Sequence, residues 1–141
     1  VVVSPRDGDP TDGEIDREYV IVQSELYLAE NDSGGYALDF PAAMARTPSH
    51  VLFNGHTRAL VDRPLVAEPG ERVRLYVHNA GPTGTSSFHV IGAIFDTVYH
   101  EGNPANLWRG MQTVLLGSSN SAFFSGMGFP FRPLNVRARR K

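Results

Sequence analysis

Short apolar segments punctuated by glycine and proline turns predict an all-β fold, a sandwich or barrel, with one short helix. Three observations carry this expectation. Arg72 to Asn79 (RVRLYVHN) alternates polar and apolar residues over a full strand, with Val73, Leu75 and Val77 on one face. Tyr19 to Leu28 is rich in β-branched and aromatic residues. Turn chemistry recurs between such runs, at Asn31-Asp32-Ser33-Gly34-Gly35, Asn54-Gly55, Pro69-Gly70 and Ala80 to Thr85.

Taken in order, residues 4–16 (SPRDGDPTDGEID) combine Pro, Gly and Asp without apolar periodicity and read as a linker or arm, so 1–16 is set apart. The strand from Tyr19 follows. Asp39 to Arg46 (DFPAAMAR) predicts the one helix of note, since Pro41 suits a first turn and Ala and Met favour its interior. His50-Val51-Leu52-Phe53 is a strand closed by Asn54-Gly55, a pair that tolerates positive φ at both positions. Leu65 to Ala67 is a further short strand, followed by Arg72 to Asn79. Ser87 to Gly92 and Ile94 to Tyr99 are strands kinked near Gly92. His100 to Arg109 reads as a polar loop and Met111 to Leu116 as the last clear strand. After Gly117 no amphipathic strand is legible, and residues 123–141 read as a divergent, disordered basic tail behind a domain of residues 17–122.

Composition bounds the chemistry. A chain of 141 residues fits one domain and buries roughly two thirds of its unfolded surface without a covalent staple. No apolar run approaches the ~20 residues that span a bilayer. Cysteine is absent, which excludes disulfides, thiolate zinc sites, cysteine nucleophiles and a blue copper centre built from this chain alone. Val1 rather than Met opens the chain and no charged-then-apolar leader follows, so it reads as cut from a longer polypeptide. Five basic residues crowd positions 132–141, while the rest carries 8 basic and 15 acidic side chains. With no aromatic residue after Phe131, that end reads as solvated and not as a nucleic-acid site.

The candidate chemistry rests on histidine. His50, His56, His78, His89 and His100 form no HxH pair, no HExxH and no helical i, i+4 pair, so no local metal motif exists. The plain reading of each is a surface or hydrogen-bonded side chain, and His78, on the polar face of its strand, is expected to be solvated. His89 differs. Ser86-Ser87-Phe88-His89-Val90-Ile91-Gly92 puts an imidazole within an apolar strand, on the face of Ser87 and Ile91. Burial there lowers the pKa of an imidazole and suits it to proton transfer. Asp96 and Glu101 are near in sequence, but Asp96 is expected on the opposite face and is not paired with His89. No GxSxG elbow and no P-loop ending occurs. Trp108 is expected to be a packing anchor or a subunit contact.

Several segments together resemble copper-containing nitrite reductases and related multicopper-oxidase-like proteins. They are Arg17-Glu18-Tyr19-Val20, Glu25-Leu26-Tyr27, His50 to Gly55, Pro69 to Val73, Asn79 to Pro82, Ser86 to Tyr99 and Gly110 to Val114, in family order over residues 17–122. The run Phe88-His89-Val90-Ile91-Gly92 with Ile94-Phe95-Asp96 is the most specific. The resemblance implies a cupredoxin-like Greek-key β-sandwich, the second of two such domains in a homotrimer outside the cytoplasm, periplasmic or extracytoplasmic. It implies copper as cofactor and nitrite as substrate, with a first cupredoxin domain and neighbouring subunits as partners. It makes His89 the catalytic histidine that helps deliver protons to nitrite. The family's second-domain copper ligand falls in a segment whose nearest match here is Gly128 to Leu134, with Leu134 in place of the histidine. The resemblance therefore leaves the metal ligand of this chain unassigned, and the isolated chain is expected to lack a complete copper site. A metal-free cupredoxin-shaped module for packing or assembly is the alternative expectation.

Overall fold

The computed structural model describes residue 2, residues 6–9 and residues 12–128. The alternation in Arg72–Asn79 becomes strand β5, whose Val73, Leu75 and Val77 are buried on one side. Strand β1 (Arg17–Leu26) lies beside it in parallel, with Ile21 opposite Val77, and β4 (His50–Phe53) adds antiparallel to β1. Between them come the hairpin of β2 (Leu28–Glu30) with β3 (Tyr36–Leu38) and helix α1 (Phe40–Ala45). Asp39 caps α1 by accepting from the Ala42 amide at 2.9 Å, and Arg46 closes it in the left-handed region. The helix itself, with Pro41 in its first turn, follows the sequence expectation. Asn54 and Gly55 turn the chain with φ of 49° and 79°.

The second half closes the sandwich. Strand β6 (Ser86–His89) pairs with β9 (Thr113–Leu116) in a two-stranded sheet. Strands β7 (Phe95–His100), β8 (Leu107–Met111) and β10 (Ser121–Gly128) complete a six-stranded sheet in the order β4-β1-β5-β10-β7-β8. The core lies between the sheets, where Ile21, Val73, Leu75, Phe95, Val98 and Phe124 meet Phe88, Val90, Val114 and Leu116. Phe124 packs at 5.1 Å from Phe88 and 4.5 Å from Phe95, ring centre to centre.

Five expectations change. Gly92, at φ 82°, does more than kink a strand: β6 and β7 on its two sides belong to different sheets. The segment from Leu65 to Ala67 forms no strand; Ala67 is buried and the Val66 carbonyl accepts from Tyr19 Oη, so it serves as irregular cover. A second helix, α2 (Ala59–Asp62), precedes it and puts Leu60 into the core. The last three residues of the expected loop from His100 to Arg109 belong to β8, and the expected strand from Met111 breaks at Gln112 as the chain passes from β8 to β9. The sheet also runs past residue 122, because β10 is an internal strand paired with both β5 and β7. Phe129, Phe131, Leu134 and the basic end lie outside the described residues.

Candidate functional site

His89 ends β6 opposite Thr113 of β9. Phe88 and Val90 on either side turn into the core, which sends Ser87, His89 and Ile91 outward. Ile91 is 69% exposed, and Leu115 on the same outer face is 62% exposed. The expected burial of His89 is therefore overturned: period two placed it correctly with Ser87 and Ile91, but the apolar Ile91 marks the outer face and not the core.

The imidazole is nevertheless held. His89 Nδ1 lies 2.6 Å from the Gln112 carbonyl oxygen, and Thr113 Oγ1 lies 3.4 Å from the same nitrogen. A carbonyl only accepts, so Nδ1 carries the proton and donates. Nε2 is then the basic nitrogen of the neutral ring, and it has no hydrogen-bond partner among the described residues. Such a ring accepts a proton at Nε2 and donates it outward without losing its anchor. Gln112 and Thr113 act through position, since the break between β8 and β9 aims the Gln112 carbonyl at the ring. Sequence reasoning missed both.

The other histidines are scattered. His50 Nδ1 lies 3.1 Å from Ser49 Oγ, and His56 Nδ1 accepts from the Arg58 amide. His78 is half-buried, with Nδ1 2.8 Å from Ser121 Oγ of β10, which corrects the expectation of a solvated side chain. His100 stacks on Trp108 at 4.7 Å and donates from Nε2 to the Leu115 carbonyl at 3.3 Å, making Trp108 a packing partner. Asp96 is exposed on the six-stranded sheet, apart from β6, as the unpaired reading required. Among the described residues no three His, Cys, Asp or Glu side chains gather to hold a metal ion. The donor set present thus does not fit a complete copper site; His89 is a single exposed imidazole.

The opposite end of the sandwich carries a polar network. Buried Glu25 accepts through Oε2 from Tyr27 Oη at 2.8 Å, from Thr83 Oγ1 at 3.2 Å and from the amides of Thr83 and Gly84 at 3.3 and 3.1 Å. Asn79 Nδ2 donates to the carbonyls of Gly84 and Leu116 at 2.8 and 3.0 Å. These bonds hold the loop from Ala80 to Thr85 and define where β6 begins. They are scaffold for His89, one strand-length away.

No family model matches the chain. The copper-containing nitrite reductase of Neisseria meningitidis serogroup A is 40% identical over 125 residues, 86% of this chain and 31% of that protein. That of Pseudomonas chlororaphis is 36% identical over 89% of this chain and 39% of its own length. The chain thus spans about a third of the curated relatives it matches. Among solved structures, the copper-containing nitrite reductase of Thermus scotoductus SA-01 superposes with a TM-score of 0.78 at 34% identity, covering 92% of this chain and 29% of that one. The copper nitrite reductase of Nitrosomonas europaea gives 0.68 at 40% identity, covering 83% of this chain and 41% of that one. A multicopper oxidase at 23% identity and a TM-score of 0.68 shares the fold. In sequence and in architecture, then, this is a cupredoxin-like β-sandwich akin to copper-containing nitrite reductases, and it shares its fold with a multicopper oxidase.

Proposed function

We propose that this chain is the second cupredoxin-like domain of a copper-dependent nitrite reductase forming nitric oxide, and that His89 is its catalytic, proton-passing residue. The supporting observation is the anchored imidazole, with Nδ1 committed to Gln112 and Nε2 outward, in the stretch that carries the family likeness. Reduction of nitrite to nitric oxide takes up one electron and two protons and releases water. The described residues account for the proton side alone. Protonated His89 gives up its Nε2 proton to an oxygen of bound nitrite and recovers one from the solvent that its exposed face meets. Copper, its complete ligand set and the source of the electron lie with residues beyond those described: a first cupredoxin domain and neighbouring subunits of a homotrimer in the periplasm or another extracytoplasmic space. The exposed outer face of β6 and β9, with Ile91 and Leu115, suits burial against such a neighbour.

The reading is tested by nitric oxide formation from nitrite by the full-length gene product, beside His89→Ala and His89→Gln. A general acid of this kind is worth about 100-fold or more in kcat, and both variants are expected to lose that much while retaining their fold. Unchanged kcat in His89→Ala overturns the role of His89, and no nitrite reduction by the copper-loaded parent overturns the reading as a whole. The scatter of ligands favours one other reading for the chain taken alone, a metal-free module for packing or assembly.

A further inference from the structure

Asn54 is the one asparagine in the chain that a glycine follows. Phe53 and His56 exchange both backbone hydrogen bonds at 3.1 Å. Between them Asn54 and Gly55 have φ of 49° and 79°, the pair of positive angles that such a two-residue turn demands. Asn54 is exposed, yet its side chain is tied at both ends to strand β1. Oδ1 accepts from the Val22 amide at 2.7 Å and Nδ2 donates to the Val20 carbonyl at 3.0 Å. The Asn54 amide donates to the Val22 carbonyl at 2.8 Å. The side-chain amide thus pairs with β1 as a further strand residue would, one step beyond the Gln23–Phe53 pair of the β1–β4 ladder.

Strand β4 depends on this clip. It is an edge strand of four residues, and among the described residues β1 is its one neighbour in the sheet. Beside the clip, the Gly55 amide is exposed and has no hydrogen-bond partner among the described residues. Glycine has no Cβ to shield that nitrogen. Once it has lost its proton to hydroxide, a nitrogen so placed attacks the side-chain carbonyl of the residue before it.

We propose that Asn54 is a site of spontaneous deamidation, gated by its own bonds to Val20 and Val22, and that the product releases the edge strand β4 from β1. The Gly55 nitrogen bonds to Asn54 Cγ, the Cγ–Nδ2 bond breaks, and ammonia leaves with a proton from water. The succinimide so formed opens when water adds to either ring carbonyl. Aspartate or isoaspartate results; one ammonia has been exchanged for one water, with no oxidant or reductant. Ring closure expels Nδ2 and breaks its bond to Val20, and it rehybridises the carbon whose oxygen Val22 holds. The closed clip therefore holds the reaction back. Aspartate sets a carboxylate oxygen, an acceptor, against the Val20 carbonyl, and isoaspartate lengthens the turn by one backbone atom. Neither restores the bond to Val20, so a chain once opened there stays altered.

The experiment holds the whole chain in mildly alkaline buffer, with and without unfolding urea, and reads conversion at each asparagine by peptide mapping with mass spectrometry. In urea, Asn54 is expected to convert ahead of every other asparagine. In the folded chain its conversion is expected to be about 30-fold slower, the factor that two hydrogen bonds support. Hydrogen exchange on Asn54→Asp reads the consequence. Amides of β4 are expected to exchange about tenfold faster than in the wild type, while β5 and β10 keep their protection. Another asparagine converting first in urea overturns the site. Equal rates with and without urea overturn the gate. Wild-type exchange in β4 of Asn54→Asp, or loss of protection in β5 and β10 as well, overturns the local release.

Discussion

A single carboxylate organises the loop ahead of β6. Burial by itself pushes the Glu25 carboxyl up, but the bonds from Tyr27, Thr83 and Gly84 outweigh it and hold it below the usual glutamate range. The folded pKa is depressed, so Glu25 contributes stability above the unfolded value and that contribution fades as pH falls through the folded one. The urea midpoint of the wild type is therefore expected to drop as pH falls below the ordinary glutamate value of 4.5, with a shallower drop in Glu25→Ala. At neutral pH the same substitution leaves buried donors unpaired and is expected to cost about 3 kcal/mol. Gly84 is the steric counterpart: an added Cβ meets Glu25 Oε1 at 1.8 Å, and that side chain is tied down through its other oxygen. Gly84→Ala is expected to destabilise by about 1–3 kcal/mol in the same denaturation. None of this was legible in the sequence, where Glu25 is one polar residue in a strand and its partners in the loop lie more than 50 positions away. His89 was legible by residue type and neighbours; its exposure was not, because period two assigns residues to a face without saying which face meets the core.

Strands that alternate cleanly, such as β5, and elements with capping chemistry, such as α1, follow from local sequence to within a residue or two. Strand β10 does not, and the cause is visible. Both of its faces are covered, with Phe124 toward the core and Phe123 stacked on Tyr99 at 4.1 Å on the other side, so no polar–apolar alternation exists to detect. A register shift between Phe124 and Met127 then breaks what periodicity remains. Burial makes the strand energetically central. Phe124→Ala is expected to cost about 4 kcal/mol, measured by urea denaturation, whereas Leu115→Ala on the exposed face of β9 is expected to change stability by under about 1 kcal/mol. Comparable losses from both would mean that the outer face of β9 is buried in solution. The sheet change at Gly92 was half legible: the glycine signalled a bend, but the destination of each strand depends on partners elsewhere in the chain.

For the molecule as a whole, five histidines were counted from the sequence, and their dispersal over both sheets emerges only on folding. Purified and passed through gel filtration after copper loading, this chain is expected to retain copper well below stoichiometry, by elemental analysis. Stoichiometric copper that disappears in His89→Ala would instead place His89 in a site closed by a second copy or by residues beyond those described. The resemblance supplied the fold class as a whole, where periodicity alone left sandwich and barrel open. The placement of β10 has a further consequence, for the order in which the protein is made. It lies between β5 and β7, yet leaves the ribosome after both. Until it emerges, β4, β1 and β5 form one open-edged ribbon and β7 with β8 another, each offering unpaired backbone to other nascent chains. Closure of the large sheet is then a late, non-local event that no earlier hairpin can complete. Synthesis that stalls short of Ser121 is expected to yield two sticky halves in place of a smaller version of the same fold.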